Sequence, residues 1–176
     1  DKAKIPMLKR EDLKKEADGF INEVREINGT KVLFHNIETN GIGYVRLMFD
    51  ISNVPKELFA YAGILKNILG FVNTKSYDYG ALYNEINIHT GDISSYVNIY
   101  IDANNFEDYQ LSFEVRTKAI YEELEAAFGL LAEIITTSSL ADESRILEIL
   151  EEMKSRMQGN MASAGHSIAA RRAMSY

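Results

Sequence analysis

The chain has 176 residues, 46% of them hydrophobic, and carries 26 acidic against 19 basic residues for a net charge of −7. A chain of this length can bury roughly 70% of the surface that its unfolded form exposes. The acidic balance, without a long run of Lys and Arg, excludes nucleic acid as an expected partner. Cysteine is absent, which excludes disulfides and thiolate sites.

The amino-terminal region shows neither a signal-peptide core nor a membrane span. No apolar run approaches the roughly 18 residues that cross a bilayer. We therefore expect a soluble protein with no membrane partner. Residues 1–176 are expected to form a single domain, in which residues 1–20 are a linker with a short helix.

Two Asn-Gly pairs predict tight turns near the start of the chain. Asn28-Gly29 and Asn40-Gly41 each lie between strand-forming stretches, and this pair favours turns whose two central residues both need positive φ. Three consecutive strands are predicted around them, over residues 22–27, 30–38 and 42–51. Along the third strand, apolar and polar side chains alternate, so one face suits packing and the other is polar.

Helical periodicity follows the third strand. Pro55 suits a first helical turn, and apolar residues recur at helical spacing from Leu58 to Leu69. A second, shorter helix is predicted over residues 78–88. The sequence "HTGD", which begins at His89, is expected to end it.

Two more strands are predicted next, over residues 96–102 and 111–116. Their apolar and polar residues alternate, and the loop "ANNFED" joins them as a hairpin. A helix over residues 121–137 and an apolar stripe over residues 146–157 follow. Gly159 and Gly165 are expected to interrupt what comes after.

The predicted element order is β-β-β-α-α-β-β-α-α. This order predicts an α+β fold in which an antiparallel β-sheet has helices packed on one face. A Rossmann arrangement is excluded, because strands and helices do not alternate singly and no glycine-rich phosphate loop is present.

The sequence contains few candidate catalytic or metal-binding residues. The three histidines, His35, His89 and His166, have no one-turn spacing that would form a zinc site. His89 is interpreted as part of a helix stop and His166 as a helix-packing residue. The glutamates of "YEELEAAF" and "LEILEEMK" fall opposite the apolar stripes and are interpreted as solvated. No Gly-x-Ser-x-Gly elbow surrounds any serine.

Several ordered segments carry a family resemblance across nearly the whole chain. They are "INGTKVLFHNIETNGIGYVRLMFDISNVPKELFAYAGIL", "TKSYDYGALYNEINIHTGDISSYVNIY" and "AGHSIAARRAMSY". Together they resemble the insulinase or pitrilysin class of zinc metallopeptidases, and within it the presequence-protease branch.

The resemblance implies a place in a larger architecture. Proteins of this branch have four similar domains in two halves that enclose a peptide chamber, with zinc bound in the first domain by an inverted His-x-x-Glu-His helix. This chain resembles the third, non-catalytic domain and would be incomplete at its carboxyl end. Its implied partners are the other domains of the same polypeptide and peptide substrates. Its implied location is the cytoplasm if bacterial, or an organellar matrix if eukaryotic.

The resemblance also identifies where the metal helix would lie. If "NTKSY" is aligned with the family's "GT--Y", the His-x-x-Glu-His positions fall on Ile64, Asn67 and Ile68. Two hydrocarbons and an amide cannot supply the family's ligands or its general base. We expect no metal and no catalytic residue in this chain, with the isoleucines packed against the sheet. Zinc would be bound in the catalytic domain of the parent metalloendopeptidase.

The resemblance further implies that the polar sheet face looks into the chamber. Tyr44, Arg46, Tyr96, Asn98 and Tyr100 are the candidates for its lining, because aromatic and amide groups offer sequence-tolerant contacts to an extended peptide. The alternative is that this face is simply exposed to solvent or is covered by a neighbouring domain.

Two other functions remain open. The chain could be a non-catalytic partner subunit of a processing-peptidase-like heterodimer, or an unrelated α+β interaction domain. The family fold predicts that the strands at residues 42–51 and 96–102 share one sheet, which separates it from an unrelated domain.

Overall fold

The computed structural model describes residues 7, 9–13, 19 and 21–175. The chain divides into two compact units, residues 1–40 and residues 41–176. Most of the predicted linker over residues 1–20 lies outside the described residues, which include a one-turn 3₁₀ helix at Arg10–Asp12. The single-domain assignment stays a prediction.

The first unit contains a β-hairpin. Strands β1 (Glu23–Ile27) and β2 (Thr30–Phe34) pair antiparallel, with Ile27 opposite Thr30. Asn28 and Gly29 adopt φ values of 50° and 79°, as a two-residue turn with the right twist requires. The predicted turn is confirmed, although β2 ends four residues before the predicted strand does.

Within the described residues, the second unit contains three strands and five α-helices. They are, in chain order, β3 (Ile42–Asp50), α1 (Phe59–Ile68), α2 (Tyr79–His89), β4 (Asp92–Ile101), β5 (Tyr109–Ile120), α3 (Leu124–Thr137), α4 (Glu143–Ser163) and α5 (Gly165–Met174). One-turn 3₁₀ helices precede α1 and α3. Helix α2 ends at His89, as the "HTGD" signal predicts.

The three strands form an antiparallel sheet in the order β3-β5-β4. The strands predicted over residues 42–51 and 96–102 correspond to β3 and β4, and they share one sheet with β5 between them, as the family fold predicts. The second Asn-Gly turn also has positive φ, 53° at Asn40 and 80° at Gly41. This turn lies at the boundary of the two units, and β3 pairs along its whole length with β5, from Ile42↔Ile120 to Asp50↔Ser112.

One face of the sheet packs against helices. Phe113 and Val115 of β5 form a cluster with Leu131 of α3, and residues of α1 pack against this cluster. Leu82 of α2 is buried with Leu130 of α3 and a further residue of that helix. The predicted α+β architecture, with helices on one face of an antiparallel sheet, is confirmed.

The carboxyl-terminal helices differ from the prediction. Gly159 does not interrupt α4, which continues to Ser163, because one glycine costs a helix only about 1 kcal/mol relative to alanine. The break falls at Ala164, where φ is −126°, and α5 begins at Gly165. Three helices rather than two therefore follow β5. Within the described residues, no helix combines the length and the apolar character needed to cross a membrane.

Candidate functional site

The three positions aligned with the metal helix lie on α1 and carry no metal chemistry. Ile68 is buried with Val72 and Ile149, and Ile64 packs against the same cluster. Asn67 donates a hydrogen bond from Nδ2 to the carbonyl of Gly63, at 2.8 Å. Hydrocarbons and an amide turned back onto its own helix do not fit a zinc ion.

The isoleucines of α1 do not pack against the sheet, so that expectation was wrong. Their cluster is completed by α4, through Ile146, Ile149 and Met153. Helix α1 has a second apolar stripe, and this one packs on the sheet. It consists of Ala62 and Leu65, and Leu69, the first residue after the helix, packs with them. The two stripes are offset around the helix axis, so α1 lies between the sheet on one side and α4 on the other.

The histidines do not assemble a metal centre. His35 Nδ1 lies 2.9 Å from a backbone carbonyl of its own unit. His89 lies between Glu85 and Glu123, at 3.5 and 2.6 Å from opposite ring nitrogens. His166 is exposed at the second residue of α5, so the expected packing role was wrong. In the part of the chain that the structure describes, no group of three or more His, Cys, Asp or Glu could hold a metal ion.

The sheet face opposite the helices is polar and forms the candidate site. Its side chains come from alternate residues of all three strands, and none of them belongs to a hydrophobic core cluster. We call it the polar face. It consists of Tyr44, Arg46, Met48 and Asp50 of β3, Gln110, Ser112, Glu114, Arg116 and Lys118 of β5, and Asp92, Ser94, Tyr96, Asn98 and Tyr100 of β4.

A fully buried carboxylate organises the centre of the polar face. Glu114 has an exposed fraction of 0%, and its side chain is held from more than one side. Tyr100 donates its hydroxyl to Oε1 at 2.5 Å. Arg116 donates to Oε2 through Nε at 2.9 Å and through Nη2 at 2.6 Å. Charge-assisted hydrogen bonds of this kind are the strong ones in proteins.

Three further contacts hold the guanidinium groups around this carboxylate. The guanidinium of Arg116 lies over the ring of Tyr96, 4.3 Å from its centroid, which is a cation–π arrangement. Arg46 donates from Nη1 to the Tyr100 hydroxyl at 3.4 Å, and its Nε lies 3.7 Å from Glu114 Oε2. The aromatic and basic side chains are therefore fixed relative to one another by Glu114.

The charge state of Glu114 follows from its partners. Burial acts to raise the pKa of this carboxyl, but hydrogen bonds from Tyr100, Asn98 and Arg116 outweigh burial and hold the pKa below its ordinary value of 4.5. The same contact with Glu114 raises the pKa of Arg116. Glu114 is therefore an ionised anchor for its neighbours near neutral pH.

Tyr100 also explains why Ser112 is buried on the polar face, where no residue joins a helix-packed core cluster in the described part of the chain. Tyr100 lies opposite Gln110 on β5, yet its hydroxyl reaches Glu114, four residues further along. Since Ser112 lies between those two residues on the same face, the Tyr100 side chain passes over it. Ser112 is 0% exposed, and its Oγ finds no hydrogen-bond partner among the described residues.

The five predicted lining residues all lie on the polar face, and four of them surround the Glu114–Arg116 pair. Tyr44 stands apart from that network and is 67% exposed. The sequence interpretation missed Glu114 and Arg116 as site residues. Their signal was present, because the alternation of "LSFEVR" places both on the polar side of the strand. Whether this face lines a chamber stays a prediction.

Comparison with known proteins defines the class to which this fold belongs. A family model described as associated with peptidases of family M16, subfamily C, matches residues 1–176. The chain therefore belongs to that family. The alternative of an accidental resemblance in an unrelated interaction domain was wrong.

Individual relatives identify the branch. The chain is 37% identical over all 176 residues to "Protein HypA" of Clostridium perfringens, covering 18% of that protein. It is 29% identical over 96% of its length to "Presequence protease 1, chloroplastic/mitochondrial" of Arabidopsis thaliana, and 28% identical over 94% to "Presequence protease, mitochondrial" of Candida albicans. It covers 16% of each of these two proteases, so it spans less than a fifth of these relatives. The chain belongs to the insulinase-family presequence-protease branch.

Proposed function

We propose that this chain is a non-catalytic wall domain of a presequence-protease-like zinc metalloendopeptidase. In this proposal the polar face lines the chamber in which unfolded peptides are held, and another domain of the same polypeptide hydrolyses them. The zinc ion and its general base belong to that other domain. The observation that carries the proposal is a sheet with helices on one face and a fixed Tyr, Arg and Asn network on the other.

The chemistry of the polar face suits a peptide of varied sequence. Tyr96 and Tyr100 are 39% and 38% exposed, and they present rigid rings whose orientation the Glu114 network fixes. Such rings contact apolar side chains and peptide groups alike at a low entropic cost. A preorganised surface of this kind binds without first having to order its own side chains.

The length of the relatives favours a wall domain over a separate partner subunit. In the relatives from Clostridium perfringens, Arabidopsis thaliana and Candida albicans, the matched region is part of a much longer polypeptide. The partners of the polar face would then be other domains of one chain and the enclosed peptide. The names of the plant and fungal relatives support an organellar compartment for a eukaryotic parent, and a bacterial parent would be cytoplasmic.

The absence of catalysis in this domain can be tested on the purified 176 residues. Because α1 offers Ile64, Asn67 and Ile68 where ligands and base would be needed, we expect no peptide cleavage and no stoichiometric zinc by elemental analysis. The measurement uses an unfolded fluorogenic peptide with zinc supplied in the buffer. Turnover together with one bound zinc per chain would overturn the proposal.

Contact between the polar face and peptide can be tested by site-specific photo-crosslinking. A benzoylphenylalanine replaces Tyr44 in the intact polypeptide that contains this chain, a labelled peptide is added, and a metal chelator stops hydrolysis. The matched control replaces Tyr61 of α1, because the two tyrosines are 67% and 65% exposed. We expect crosslinks at position 44 and not at position 61. Equal labelling at both positions, or none at position 44, would contradict a peptide-lining face.

A further inference from the structure

The polar face brings two arginines together in one row of the sheet. Arg46 of β3 is the register partner of Arg116 of β5, and the third residue of the row is the neutral Ser94 of β4. Directly opposed side chains lie about 5 Å apart at Cβ, and like charges in such a pair are destabilising. A negative charge close to this row would therefore stabilise it. The row is a local positive patch in a chain whose net charge is −7.

The carboxylate of Glu114 lies close to both arginines, but it is hydrogen-bonded to only one of them. Glu114 Oε2 accepts hydrogen bonds from Arg116 at 2.6 and 2.9 Å, while Arg46 Nε lies 3.7 Å away, beyond hydrogen-bond distance. The acidic residues at the two ends of the polar face are engaged elsewhere. Asp50 accepts from the Ser52 amide at 2.8 Å, and Asp92 accepts from the Ser94 hydroxyl.

Of the two arginines in this row, Arg46 is therefore the one with donor capacity to spare. A guanidinium has five N–H donors, and among the described residues the Arg46 side chain makes one hydrogen bond, a long contact of 3.4 Å to the Tyr100 hydroxyl. Its side chain is 49% exposed, compared with 32% for Arg116. The contacts to Tyr100 and Glu114 involve Nη1 and Nε of the guanidinium, and about half of the side chain stays open to a ligand.

We propose that Arg46 binds a carboxylate of the enclosed peptide. A planar guanidinium matches a carboxylate with two parallel N–H···O bonds, and a peptide anion would supply the negative charge that the arginine row lacks. The carboxylate comes either from the peptide's C-terminus or from an Asp or Glu side chain. This inference rests on the proposed function, because it requires peptide at the polar face.

The experiment compares Arg46→Gln with the unchanged intact polypeptide on matched peptides. One pair of peptides differs in a free or amidated C-terminus, and a second pair has Glu or Gln at one internal position. We expect Arg46→Gln to raise KM about three- to fivefold for the peptide that carries the recognised carboxylate, as for a half-exposed ion pair. KM for its neutral counterpart should change much less. The pair that shows the difference identifies the source of the carboxylate.

Two further variants separate charge recognition from general effects. Arg46→Lys keeps the charge and should recover part of the preference. Arg156→Gln removes an exposed cation of α4 that is paired with Glu152, and it should leave both peptide pairs unchanged. An equal loss for charged and neutral peptides in Arg46→Gln would overturn the inference.

The inference and the proposed function can fail separately. If Arg46→Gln changes KM for no peptide while position 44 still crosslinks to peptide, the carboxylate site is wrong and the wall domain stands. If crosslinking at position 44 also fails, the wall domain is wrong as well.

Discussion

The two faces of the three-stranded sheet bury their central residues in different ways. On one face, Phe113 and Val115 of β5 are covered by hydrocarbon side chains of packed helices. On the other, the adjacent residues Ser112 and Glu114 are 0% exposed, although neither belongs to a helix-packed core cluster of the described residues. There, long side chains of the flanking strands supply the cover. Burial on this sheet therefore has two origins, a hydrophobic core and a polar network.

The largest expected effect comes from the helix-covered face. Leu131 is 1% exposed in the cluster with Phe113 and Val115, so Leu131→Ala removes buried methyl groups and leaves a cavity. We expect a loss of about 2–5 kcal/mol in the free energy of unfolding, measured by urea denaturation. The control is Leu147→Ala on α4, where the side chain is 57% exposed and the change should stay within about 0.5 kcal/mol. Equal losses of unfolding free energy in the two variants would show that the buried cluster does not stabilise the chain more than an exposed leucine does.

On the polar face, Glu114→Gln should cost less but still measurably. The change leaves Arg116 without its ionised partner in a buried contact, which costs several kcal/mol when both charges are fully buried. Since Arg116 is about one-third exposed, solvent screening reduces the expected loss to about 1–3 kcal/mol. Glu152→Gln, in an exposed pair with Arg156, should cost about 0–1 kcal/mol by the same urea assay. If both variants lose the same unfolding free energy, the network around Glu114 stabilises the chain no more than a surface ion pair does.

The pH dependence of stability tests the charge of Glu114. Its pKa is lowered in the folded state, so its contribution is present above the ordinary value of 4.5 and disappears as pH falls through the folded-state pKa. The stability gap between the unchanged chain and Glu114→Gln should therefore be widest near neutral pH and narrow as the solution is acidified below that ordinary value. Urea denaturation across that range measures the gap. A stability difference that widens on acidification would contradict a lowered pKa of Glu114 in the folded state.

The smallest expected effect is the loss of one hydroxyl. Tyr100→Phe removes the hydrogen bond to Glu114 and should cost about 1 kcal/mol. Tyr44→Phe is the matched change on the same face, where the 67% exposed side chain stands apart from the network, and it should be neutral. Thermal and urea unfolding of the two variants measure this difference. Identical stability would show that the hydroxyl of Tyr100 does not hold the network together.

Much of the fold was predictable because its signals are local. Asn28-Gly29 encodes a turn through the φ values it tolerates, and alternating side chains encode the strands and their two faces. The error at Gly159 has the opposite character, because tertiary packing and helix continuity outweigh the propensity of one residue. The isoleucines of α1 were misassigned because periodicity reveals an apolar stripe but not which element covers it.

For the candidate site, the sequence predicted which face of the sheet each side chain lies on, but not which side chains meet there. Period-two alternation placed Tyr96 and Tyr100 on one side of their strand, and the sheet brought Arg46 to the same side. The convergence on Glu114 depends on the β3-β5-β4 strand order and on register, which no single strand encodes. A buried glutamate within a strand is indistinguishable in sequence from a solvated one.

The most direct test of the central claim is hydroxyl-radical footprinting of the intact polypeptide with and without saturating peptide. Tyr44 and Met48 report on the polar face, and Tyr61 and Met157 on the helices, all of them substantially exposed in this chain. We predict that Tyr44 and Met48 are oxidised in the free protein and protected by peptide, while Tyr61 and Met157 do not respond. If Tyr44 and Met48 are already protected without peptide, or react equally with and without it, the polar face is not the wall of a peptide chamber.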